Sequence, residues 1–131
     1  MTMPGGGFFH LAAGQVTDDS ELAMCLMHAL LEQGRDIEKG QFDANKIALW
    51  YKKWIESQPF DIGASTIAAL APLKTDARWS AAAEAAKAKN AESQSNGAMM
   101  RCTPMAVFTA NLKPEIMRQV VVSEVSITHP S

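Results

Sequence analysis

Gly14-Gln15-Val16-Thr17-Asp18-Asp19-Ser20-Glu21-Leu22-Ala23-Met24-Cys25-Leu26-Met27-His28-Ala29-Leu30-Leu31-Glu32-Gln33-Gly34 is the stretch that decides the fold class of this chain. From Asp19 to Gln33 the residues Leu22, Ala23, Leu26, Met27, Leu30 and Leu31 recur at helical spacing. Gly34 follows where a left-handed C-terminal cap belongs. Thr17, Asp18 and Asp19 put three oxygen donors at the entrance of that helix. Carboxylates and a hydroxyl are hard ligands that suit Mg²⁺ or Mn²⁺, so the tripeptide can form one wall of a metal site. A plainer reading stands beside it: Asp18 caps the helix by accepting from backbone N–H groups while Glu21 reaches back in a capping box. The local sequence leaves both open.

Outward from this helix the chain reads as further helices with punctuated joints. Asp43 is placed to cap a second one, whose Ile47, Trp50, Tyr51, Trp54 and Ile55 form an apolar stripe ended by Ser57-Gln58-Pro59. Trp50 and Trp54 read as core anchors. An Ala-rich segment from Ala64 to Leu70 stops at Pro72, and Asp76 is expected to cap a helix through Trp79 to about Lys89. Glu92-Ser93-Gln94-Ser95-Asn96-Gly97 is polar and turn-forming, as a functional loop would be. Pro104 and Pro114 each suit a first helical turn. The β-branched run from Val120 to Ile127 suits a strand as well, but Pro114-Glu115 and the lack of an alternating partner favour helix. No repeat is visible, and the expected fold class is all-α.

Composition narrows the partners. The chain has 131 residues, of which 47% are hydrophobic, enough for one core. Fourteen acidic against 12 basic side chains create no global positive field, and no basic cluster is interleaved with aromatics, so nucleic-acid binding is not expected. No span approaches membrane length, and Met1-Thr2-Met3-Pro4-Gly5-Gly6-Gly7 lacks the basic and apolar regions of a secretory signal. A cytoplasmic location is the expectation. Cys25 and Cys102 fall in helical stretches away from metal-type spacing and read as reduced core thiols. Gly5-Gly6-Gly7 has no following Lys and Ser/Thr of a phosphate loop, and no Gly-x-Ser-x-Gly elbow is present. The triple glycine reads as a close-packed or flexible loop.

Four segments in order carry a more specific message: Gly14-Gln15-Val16-Thr17-Asp18-Asp19-Ser20, Phe60-Asp61-Ile62-Gly63, Ser95-Asn96-Gly97-Ala98-Met99-Met100-Arg101-Cys102-Thr103-Pro104 and Ser126-Ile127-Thr128-His129-Pro130. Their order and separations resemble the ADP-ribosylglycohydrolase family over nearly the whole chain, from about Gly5 to Ser131. The resemblance implies an all-α fold with two divalent cations, Mg²⁺ or Mn²⁺, in a cleft for ADP-ribose. It implies Thr17, Asp18 and Asp19 as metal ligands, with Asp61 and Asp19 as catalytic carboxylates. It further implies Gly63, Asn96, Gly97, Ala98, Met100, Arg101 and His129 near the substrate, which would be an ADP-ribosylated protein or a small ADP-ribosyl compound.

Elementary chemistry agrees with these implied roles. Cleavage at an anomeric carbon passes through an oxocarbenium-like state and needs a positioned sugar, an activated water and a protonated leaving group. Metals and carboxylates supply those. Plainer readings exist for single residues: Asp61 as a turn residue, Arg101 as a structural ion-pair partner, His129 before Pro130 as a surface turn, and Phe60 and Met100 as packing. The chain also departs from the family pattern. An upstream Gly-Asp-Ala-rich helix and a second acidic motif, Asp-x-Asp before Ser or Thr, are not in it, so residues 1–131 are expected to be a partial domain. A non-catalytic ADP-ribose-binding module or an inactive helical interaction protein is the competing expectation.

Overall fold

Helix begins where the apolar stripe begins. In the computed structural model, which describes residues 3–34, 37 and 41–130, the first helix α1 (Asp18–Leu31) buries Leu22, Leu26, Ala29 and Leu30 along one face. Met1, Thr2 and Ser131, at the ends of the stretches read above, lie outside the described residues. Gly34 has φ +64°, the left-handed conformation its position calls for. The Gln33 side chain then fastens the next helix start: its Nε2–H donates to the Asp43 carbonyl at 3.0 Å, and its Oε1 accepts the Asp43 N–H at 3.1 Å. Asp43 in turn caps α2 (Ala44–Glu56), its Oδ1 accepting the Asn45 N–H at 2.9 Å.

The α1–α2 pair builds the core. Leu22, Leu26 and Leu30 join Ile47, Tyr51, Trp54 and Ile55, and Leu70, Leu73, Met105, Val120 and Ile127 close the cluster. Each such fully buried aliphatic side chain contributes about 1.5–3 kcal/mol relative to exposure. Trp54 is buried as an anchor should be. Trp50 is only half-buried; it stacks on His28 at 4.6 Å between centroids, with the Lys53 ammonium 4.0 Å from its ring.

The remaining helices pack around this pair. α3 (Ala64–Leu70) runs into a 3-10 turn, Ala71–Lys74, where Pro72 stands in the first turn and lacks the N–H that an α-helical continuation would use. α4 (Trp79–Lys89) lies on α3, and its Trp79 Nε1–H donates to the Ser123 carbonyl at 2.8 Å. Asp76 does not cap α4: its carboxylate is held by the Arg78 guanidinium at 2.6 Å and by the Arg78 N–H, because a charged fork two residues away outcompetes a neutral helix end. α5 (Thr103–Thr109) lies on α1, and α6 (Pro114–Val125) completes the set. The β-branched run is therefore helical. Val120 is buried while Val122 is exposed, and the one isolated β-bridge among the described residues is Gly6 with Leu11. Among the described residues the regular elements are these six α-helices and the 3-10 turn, so the fold is all-α.

Two smaller readings need correction. Cys102 is exposed at the start of α5 and is not a core thiol, whereas Cys25 is half-buried, with burial and then Glu21 pushing its thiol up to about 11. Phe60 is exposed and meets Phe9 edge-on, at 5.5 Å between ring centroids. The triple glycine is a tight turn closed by Gly6 N–H to the Leu11 carbonyl at 2.7 Å, and a Cβ on Gly5 would lie 2.6 Å from that same carbonyl oxygen.

Candidate functional site

Two chain reversals bring the motifs together. Gln58, with φ +58°, turns the chain after α2, so that Phe60-Asp61-Ile62-Gly63 passes the N-terminal end of α1 and Gly63 opens α3. The polar segment after α4 then crosses the same region. Between them lies a cleft of about 280 Å³, walled by Asp18 and Asp19 of α1, by Gly63 to Thr66, and by Ser95, Asn96, Gly97 and Met100.

Asp18 is the electrostatic centre of the acidic wall. Thr17, not Asp18, is the cap residue of α1, and the Thr17 hydroxyl makes no capping bond but donates to Asp19 Oδ2 at 3.3 Å. The capping box does not form either: Glu21 Oε2 accepts the Trp54 indole N–H at 2.7 Å, a tertiary partner that satisfies the buried indole and the half-buried carboxylate at once. Asp18 is buried and Asp19 exposed. Burial holds the Asp18 carboxyl above the ordinary carboxylate range, and the neighbouring Asp61 and then Asp19 raise it further, against the opposing pull of the Asp19 and Gly63 N–H groups. Asp61 therefore lies within electrostatic reach of Asp18.

The opposite wall is built on a buried cation. Arg101 has no exposed surface; its Nε–H donates to Glu124 Oε1 at 2.6 Å, Nη1–H to the Gly97 carbonyl, and Nη2–H to Thr128 Oγ1 at 2.8 Å. Burial alone would lower its pKa, but Tyr51 and Glu124 reverse the direction, and Tyr51 also donates to Glu124 Oε1 at 2.8 Å. Arg101 thus stands behind the cleft and fixes the loop that lines it. Ala98, at 9% exposure, is likewise packed behind the wall. His129 sits against Gly97, where an added Cβ would meet His129 Cε1 and Thr66 Oγ1 at 3.0 Å each, so the close approach favours glycine. Burial first, then Arg101, holds the His129 imidazole below its ordinary pKa. Of the residues singled out by sequence, Asp18, Asp19, Gly63, Asn96, Gly97 and Met100 line the cleft, Thr17 and Asp61 border Asp19 and Asp18, and Ala98, Arg101 and His129 support the wall.

Sequence reasoning missed Ser65, Thr66 and Ser95 as lining residues. The hydroxyls directly after Gly63 were a usable signal, since small polar residues at a loop-to-helix junction often face a ligand. It also missed Glu124 and Tyr51 as partners of Arg101, and nothing in linear spacing joins positions 51, 101 and 124.

The acidic wall suits a hard divalent cation in chemistry. Its oxygens are carboxylates and a hydroxyl, and among the described residues the ion pairs Lys52–Glu56, Arg78–Asp76 and Arg101–Glu124 do not involve Asp18, Asp19 or Asp61. In number it is thin: among the described residues no three His, Cys, Asp or Glu side chains are grouped to hold a metal.

The ADP-ribosylglycohydrolase family model matches residues 1–131. The chain belongs to the ADP-ribosylglycohydrolase family. Among its relatives, the ADP-ribosyl-[dinitrogen reductase] glycohydrolase of Rhodospirillum rubrum is 30% identical over 132 residues, 98% of this chain and 40% of that protein. The ADP-ribosylarginine hydrolases of Pseudomonas putida and Serratia proteamaculans are 34% and 35% identical, each over 81% of this chain and 28% of their own length. This ADP-ribosylglycohydrolase chain therefore spans less than half the length of these relatives.

Proposed function

We propose that the cleft serves hydrolysis of the glycosidic bond joining ADP-ribose to a modified protein side chain, assisted by two divalent cations, Mg²⁺ or Mn²⁺. The observation that supports this most directly is the convergence of Asp18, Asp19 and Asp61 with Gly63 and the Ser95–Gly97 loop in a chain of this family. Relatives named for ADP-ribosyl-dinitrogen reductase and for ADP-ribosylarginine support a protein-linked or arginine-linked substrate. Thr17, Asp18 and Asp19 would hold the cations, which when bound orient ribose hydroxyls and lower the pKa of water. Asp61, assisted by Asp19, exchanges the proton with the reacting oxygen. Gly63 and Gly97 let backbone N–H groups approach the pyrophosphate, where a side chain would stand in the way. The free thiols Cys25 and Cys102 suit a reducing compartment such as the cytoplasm. No helix among the described residues is long and apolar enough to cross a membrane.

In a protein of the relatives' full length, the test compares release of ADP-ribose from an ADP-ribosylated protein with affinity for free ADP-ribose, in the wild type and in Asp61→Asn. The variant is expected to lose roughly 100-fold or more in rate, the usual weight of a positioned general base, with affinity unchanged. A near-normal rate would return Asp61 to a turn residue. A second reading, an ADP-ribose-binding module without hydrolysis, is favoured by the lack of a three-member metal-binding group among the described residues. Tight ADP-ribose binding with no release at saturating Mn²⁺ would select it.

A further inference from the structure

Ser95 stands on the cleft wall with its side chain exposed, and two hydrogen-bond chains end on its hydroxyl oxygen. The first starts at Arg101, which has donors only. Its Nη2–H donates to Thr128 Oγ1 at 2.8 Å, so that oxygen accepts there. Thr128 has no exposed surface, and its other partner is His129 Nδ1 at 2.8 Å. The Thr128 proton therefore goes to Nδ1, since the reverse direction would leave it buried without an acceptor. With Nδ1 accepting, the neutral imidazole carries its proton on Nε2, which lies 2.8 Å from Ser95 Oγ and donates to it. The depressed basicity of His129 is consistent with a neutral ring.

The second chain runs through hydroxyls. Ser93 Oγ donates to Ser95 Oγ at 3.2 Å. Having spent its single proton, Ser93 must accept from Ser65 across their 2.7 Å contact. Both lone pairs of Ser95 Oγ are then occupied, and its own proton remains.

We infer that Ser95 is a donor-only binding group, held by the chains Arg101–Thr128–His129 and Ser65–Ser93 so that its O–H points to an acceptor oxygen of the ligand in the cleft. For the ligand's identity the inference rests on the proposed function. A group that can only donate favours a group that can only accept, and in an ADP-ribosyl compound the charged pyrophosphate oxygens are the strongest such acceptors, ahead of the neutral adenine ring nitrogens, while ribose hydroxyls also offer a competing donor. Arg101, Thr128 and His129 are positioning residues in this account, and Ser95 touches the ligand.

The test has a readout that needs no ligand. Long-range ¹H–¹⁵N correlation spectra of the full chain are expected to show His129 as the Nε2–H tautomer, and the Nδ1–H tautomer would overturn the inference. Ser95→Ala is expected to weaken ADP-ribose binding roughly tenfold, the scale of a lost hydrogen bond to a charged acceptor. It should leave adenosine binding unchanged, and Ser95→Thr, which keeps the hydroxyl, should restore affinity. Equal loss for adenosine and ADP-ribose would overturn the donor role. Inorganic pyrophosphate separates the two hypotheses: Ser95-dependent uptake of pyrophosphate without any ADP-ribose binding would overturn the proposed function and support the inference. No Ser95-dependent binding of either anion would overturn the inference itself.

Discussion

At Asp18 folding and function pull in opposite directions. Burial, Asp61 and Asp19 raise its pKa above the ordinary value of 3.8, so the ionised form weakens the folded state. The folded protein binds this proton more tightly than the unfolded chain does. The resulting stabilisation is complete below the unfolded value of 3.8 and is lost as pH rises through the higher folded-state value. Asp18→Asn removes that penalty while its amide oxygen still accepts the Asp19 N–H. Thermal unfolding followed from about pH 4 to about pH 7 is expected to show a higher midpoint for the variant at neutral pH and a flatter pH dependence. A parallel Mn²⁺ titration is expected to show weaker binding. A lower midpoint with unchanged Mn²⁺ affinity would make Asp18 a structural residue. The donor chemistry of Asp18 was readable in Thr17-Asp18-Asp19; its burial was not, because burial depends on the loop 59–63 laid over it.

Between elements, the decisive joint is the buried pair linking the Gly97 loop to α6. Arg101 and Glu124 are 0% and 1% exposed and 2.6 Å apart, and Tyr51 of α2 donates to the same carboxylate oxygen. Removing one partner strands a buried charge. Arg101→Met is therefore expected to cost about 3–5 kcal/mol, measured by denaturant unfolding. Glu124→Gln, whose amide oxygen still accepts from Arg101 and Tyr51, is expected to cost less. A loss below about 1 kcal/mol for Arg101→Met would show that the pair adds nothing to stability. The helices on either side were legible element by element, from periodicity, from Pro114 at a first turn and from Asp43 as a cap. The local rules failed at Asp76 and Glu21, whose carboxylates went to Arg78 and Trp54. A cap contributes about 1 kcal/mol, and a charged or indole partner of better geometry displaces it.

For the molecule as a whole, metal affinity measures how far residues 1–131 assemble a site. Mg²⁺ or Mn²⁺ takes about six oxygen donors, whereas the described residues bring together Asp18, Asp19 and Thr17 with Asp61 nearby and no three-member His/Cys/Asp/Glu group. Mn²⁺ titration of this chain by calorimetry is expected to give dissociation constants of roughly 10⁻⁴ M or weaker, with little release of ADP-ribose. Tight binding of two ions with robust turnover would show that these residues form a complete centre. Part of the exposed apolar surface, at Met27, Leu31 and Val107, gathers with Phe108 along a groove of about 430 Å³.

Periodicity, caps and proline positions determined the helices by themselves, because each depends on neighbours within one or two turns. The four ordered motifs likewise carried the family and the acidic wall, since side-chain chemistry needs no fold to be recognised. Only the tertiary structure decided what stands in the cleft and what stands behind it. Arg101 follows the lining residue Met100 in sequence, yet it turns inward because Glu124, 23 residues away, offers it a buried carboxylate. Ser95 faces the cleft and acquires its donor role from His129, 34 residues away. Pairings over such separations are set by helix packing, and no local rule encodes them.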